Sequence, residues 1–112
     1  MKVIIEPSDI SEAQRIAEEY FLLTIDSETM KKIIESSKGV QSELLYGSLQ
    51  DTAARDYLID AIVDFLLPEE SKIHGRWQWP CNGDSDEYKS AFYHELMNAC
   101  KANDIVFAGQ IQ

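Results

Sequence analysis

Asp56, Asp60 and Asp64 recur at every fourth position of this 112-residue chain. On a helix that spacing stacks their carboxylates along one side, about 6 Å apart along the axis. Like charges so placed oppose the helix by roughly 0.2–0.5 kcal/mol per pair. The stripe must therefore be well solvated or compensated by something cationic. The segment from Glu43 to Glu70 holds seven acids, Glu69 and Glu70 among them, against the single base Arg55.

Such a face attracts basic surfaces over a distance, which raises encounter rates and sets orientation. Asp56, Asp60, Asp64, Glu69 and Glu70 are the residues expected to carry that docking. A plainer account stands beside it: an otherwise apolar helix needs one polar side to meet water. Carboxylates also suit hard divalent cations, but no acid-rich loop with the required glycine is present.

Residues 71 to 83 form the one local departure from acidity, with two bases and no acid. Two indoles beside a guanidinium would stack on an aromatic ligand and hold a phosphate. Lys72, His74, Arg76, Trp77 and Trp79 thus support an alternative reading as a small-molecule or nucleotide-binding module. Against it, the alternation along 72–79 puts Trp77 and Trp79 on one side, as a buried face requires.

His74, Cys81, His94 and Cys100 are zinc-ligand types, but no two of them lie at ligand spacing. Neither a phosphate-binding glycine loop nor a serine elbow is present. No catalytic residue, metal ligand or cofactor is assigned, and an enzyme is the least favoured reading.

The net charge of −10 repels polyanions, which argues against direct binding to nucleic acid or to an anionic membrane. No apolar run approaches the roughly 20 residues of a membrane span. The start of the chain, broken by Glu6, does not form a signal-peptide core. A cytoplasmic protein with both cysteines reduced is expected. The leading expectation is a non-catalytic inhibitor, immunity-type or regulatory factor whose partner is a basic protein surface, with nucleic-acid mimicry as a variant.

The elements that position these residues follow from periodicity. The length and a hydrophobic content of 45% fit a single globular domain over 1–112. The pattern predicts an α+β, predominantly helical fold of four to five helices. A small two- or three-stranded sheet is expected from the terminal strands and residues 72–79. The first strand is expected over Val3 to Glu6, followed by an amphipathic helix over 9–23 with Asp9 and Glu12 as a capping box. A second helix is expected after Asp26 or Ser27, ending at Gly39 in a left-handed cap. Residues 40–47 read as further helical turns or a strand.

The longest apolar helix is expected from about Gln50 to Leu67, stopped by Pro68. It is apolar on nearly every side from Tyr57 onward, which also predicts a homodimer. Asp84 with Glu87 predicts a capping box for a last helix over 85–102, and Ile105 to Phe107 predicts a final strand.

Overall fold

The computed structural model describes residues 4–46, 52–67, 70–71 and 75–109. Among these residues five helices carry the fold: α1 (Pro7–Phe21), α2 (Ser27–Ser36), α3 (Lys38–Tyr46), α4 (Thr52–Leu66) and α5 (Asp86–Ala102). Four two-residue strands join them: β1 (Leu23–Thr24), β2 (Glu70–Ser71), β3 (Gly75–Arg76) and β4 (Val106–Phe107). The fold is α+β and predominantly helical, as the periodicity predicts.

α1 starts two residues earlier than its apolar pattern suggests. Pro7 takes the first helical position, where a missing N–H leaves nothing unsatisfied. The Glu6 N–H donates to the Asp9 carboxylate at 3.0 Å, so Asp9 is the third residue of the helix and not its cap. Val3 lies outside the described residues, and Ile4 to Glu6 form no strand. α1 closes at Leu22, whose φ of 58° is left-handed.

α2 is capped as expected, with the Asp26 carboxylate accepting the Thr29 N–H at 2.7 Å. Hydrogen bonding holds that carboxyl below its ordinary pKa. Gly39 is not the left-handed cap predicted for it: α2 ends at Ser36, Ser37 is extended, and Gly39 lies inside α3. Residues 40–46 are therefore helical, and Gly47 lies outside the described residues.

α5 begins one residue later than the expected Asp84 cap. The Ser85 hydroxyl accepts the Tyr88 N–H, while the Asp84 carboxylate accepts the Cys81 N–H and closes the preceding turn. At its other end Asp104 adopts a φ of 56° and the Ile105 N–H reaches back to the Cys100 carbonyl at 2.8 Å. That 6→1 closure satisfies a helix-end carbonyl and turns the chain into β4.

The strands pair differently from expectation. β4 is antiparallel to β1, with Leu23 opposite Phe107 and Thr24 opposite Val106. Its partner is thus the segment just after α1. Residues 72–79 are not one strand: only Gly75–Arg76 pairs, with Glu70–Ser71, in a separate antiparallel couple.

One continuous core unites the helices. α1 contributes Ile16, α2 Met30, Ile33 and Ile34, α3 Val40, α4 Leu58 and Ile62, and α5 Phe92, Leu96 and Cys100.

Candidate functional site

α4 packs against α1, α2, α3 and α5. Leu58, Ile59, Ala61, Ile62, Val63 and Leu66 are buried, which satisfies the apolar demand of the helix within the chain. The remaining edge carries Asp56, Asp60 and Asp64, all exposed. Tyr57 belongs with them and not with the apolar set, since 45% of it faces solvent.

Asp60 and Asp64 line a shallow cavity of about 250 Å³ between α4 and the α2–α3 corner, together with Ser37, Lys38, Gly39 and Tyr57. Both carboxylates also interact with other groups of the chain. The corner itself is tied down. The Ser37 hydroxyl accepts the Val40 N–H, and the Gln41 amide donates to the carbonyls of Ile34 and Glu35.

Gly39 shapes the cavity wall. A Cβ there would stand 3.0 Å from Cδ1 of Tyr57, a crowding that the ring or α3 would have to relieve by shifting. Sequence reading missed Tyr57, Lys38 and Gly39. Tyr57 lies three residues before Asp60 and seven before Asp64, so the helical period that grouped the aspartates also includes it.

Arg55 and Arg15 each contact groups of α1. The Arg55 guanidinium sits 4.4 Å from the centre of the Tyr20 ring on α1. Arg15 of α1 pairs with Glu12 at 2.6 Å and also with Glu19. Its hydrogen bond to Glu12 holds that carboxyl below the usual range. Glu69 lies outside the described residues; Glu70 stands in β2 with its backbone opposite Arg76.

The second candidate segment is arranged around α5. Lys72 and His74 lie outside the described residues, and the backbone of Arg76 is in β3. Trp77 and Trp79 are half-buried against the core with Gln78 exposed between them, so the predicted alternation is seen over these three residues, without a strand ladder. Trp77 stacks on Tyr88 at 5.8 Å and meets Phe92 edge-on. Trp79 makes edge contacts with Phe21, Phe92, Tyr93 and Phe107. The Tyr88 hydroxyl donates to the Gln78 carbonyl at 2.6 Å and accepts the Gln78 N–H at 2.9 Å.

Cys81 is exposed, Cys100 buried and His94 exposed. Among the described residues no three metal-ligand side chains gather, and no helix is long and apolar enough to cross a membrane. No family model matches the chain, and no curated protein and no solved structure matches it either.

Proposed function

We propose that this protein is a non-catalytic binding protein of the inhibitor or regulator kind, docking a basic protein through the aspartate edge of α4. The observation that carries the reading is the exposure of Asp56, Asp60 and Asp64 together on one outward edge. It rests on the summed charge of that face within a molecule of net charge −10, and not on any single carboxylate lacking a partner. A cytoplasmic setting fits this role.

The Trp–Arg segment is less favoured as a ligand site, because its indoles are engaged with rings of their own chain. Self-association loses its original ground as well, since the apolar sides of α4 are covered within the chain.

The test is affinity capture from the native host at low ionic strength, using the wild type and a D56K/D60K/D64K variant. A basic protein retained by the wild type, released by moderate salt and not retained by the folded variant is the expected result. Capture insensitive to both salt and charge reversal overturns the reading.

A further inference from the structure

Resting on the docking reading above, we infer that the cavity beside Tyr57 receives an arginine side chain of the basic partner, and receives it in preference to lysine. The ring is the leading observation. It is 45% exposed and lies against Gly39, where even a methyl group would crowd it. That makes it a backed aromatic platform and not a freely swinging side chain. Guanidinium is planar and weakly hydrated, so it stacks on such a face better than an ammonium does. The same chain already pairs these groups, with Arg55 over Tyr20.

Charge and shape complete the fit. Asp60 and Asp64 bring two carboxylates to the cavity wall, and the hydroxyl of Ser37 lies at the α2–α3 side. A carboxylate has about four lone-pair sites, so each one accepts a forked guanidinium while keeping its interactions within the chain. Lys38 also lines the cavity and is exposed. Its ammonium opposes an incoming cation but sits on a flexible stem that is free to turn into solvent. Asp56 is not among the lining residues, which separates this pocket from the wider face.

The experiment is an amide-resolved NMR titration of the full chain with N-acetyl-arginine amide, and separately with N-acetyl-lysine amide. Shifts centred on Gly39, Tyr57 and Asp60, with affinity for arginine roughly three-fold or more above that for lysine, are the expected result. Tyr57→Leu should remove the preference, Lys38→Ala should strengthen binding, and Glu95→Gln, at an exposed carboxylate of α5 outside the cavity lining, should leave both unchanged. Equal response to the two probes, shifts scattered over all acidic positions, or no shift with either probe overturns the pocket. The wild-type comparison decides the matter even where Tyr57→Leu folds poorly. Failure here leaves the wider face to the salt and charge-reversal test, and failure of that test with a selective arginine response would separate the two the other way.

Discussion

Between α1, α2, α3 and α4 the interior is aliphatic, with Ile16, Met30, Ile33, Ile34, Val40, Leu58 and Ile62 sealed from solvent. Around α5 it is aromatic, built from Phe21, Trp77, Trp79, Tyr88, Phe92, Tyr93 and Phe107 in edge and stacked contacts. The first region is enclosed by helices that satisfy their own backbone groups. The second must hold the irregular segment Trp77–Pro80, whose N–H and C=O groups need partners from elsewhere. Tyr88 supplies both for Gln78 through one hydroxyl. Aliphatic side chains fill space between regular elements, while aromatic ones with a polar tip also fasten an element that has no ladder of its own.

The largest effect expected from this contrast is at Phe92, fully buried and touching both indoles. Phe92→Ala should cost about 3–5 kcal/mol and Leu58→Ala about 2–5 kcal/mol by chemical denaturation. Only the former should shift tryptophan emission in the native state. An equal shift from Leu58→Ala would break the division into two regions.

Tyr88→Phe keeps the ring and removes the fastening, at an expected cost of about 1–3 kcal/mol. The measurement that isolates it is amide exchange at Gln78, which should accelerate beyond that of the α4 amides. Exchange rising equally in both places would mean that the hydroxyl acts on global stability alone.

A smaller effect concerns acid. Because the bonds from Thr29 hold the Asp26 carboxyl below its unfolded value, its contribution is fully present above the unfolded pKa. It is lost as pH falls through the lower folded value. Asp26→Asn keeps a capping acceptor but cannot titrate, so thermal melts below about pH 4 should show a shallower acid decline than the wild type. An unchanged decline would assign acid sensitivity to other carboxylates, such as Glu12 beside Arg15.

The two cysteines should differ in reactivity without any change in the fold. Burial pushes the Cys100 thiol up to about 11, and Cys81 is exposed. At about pH 8 a thiol of that pKa is ionised to roughly one part in a thousand. Alkylation should therefore stop at one equivalent, on Cys81, until denaturant is added. Two equivalents under native conditions would show that the α5 region opens readily.

Sequence made the long helices legible because each repeats its own period several times. The apolar run of α4 and the Asp26–Thr29 cap were both readable from neighbouring residues. The start of α1 was obscured because a proline after an extended-looking run reads as a turn, whereas here Pro7 takes the first helical position. Gly39 was misread because a glycine near a helix end looks the same in sequence whether it adopts a left-handed cap or admits a neighbouring ring. β1 spans two residues, too few for any alternation to register, and its partner comes from beyond α5. For the candidate site, the aspartate stripe was visible, but the cavity was not. Its other wall belongs to α2 and α3, and only the packing of Tyr57 on Gly39 brings the two sides together.

The pairing of Leu23–Thr24 with Val106–Phe107, and the bond from the Ala108 N–H to the Leu22 carbonyl, also bear on the order of assembly. Contacts between consecutive helices from α1 to α4 link segments near in sequence and close small loops, which favours their early formation during refolding. The β1–β4 clasp must close a loop spanning most of the chain, which is entropically the slowest step. Until α5 and β4 dock, the β1 edge at Leu23–Thr24 stays unpaired, and the interval of exposure to chaperones or to misassociation is set by how soon that docking follows.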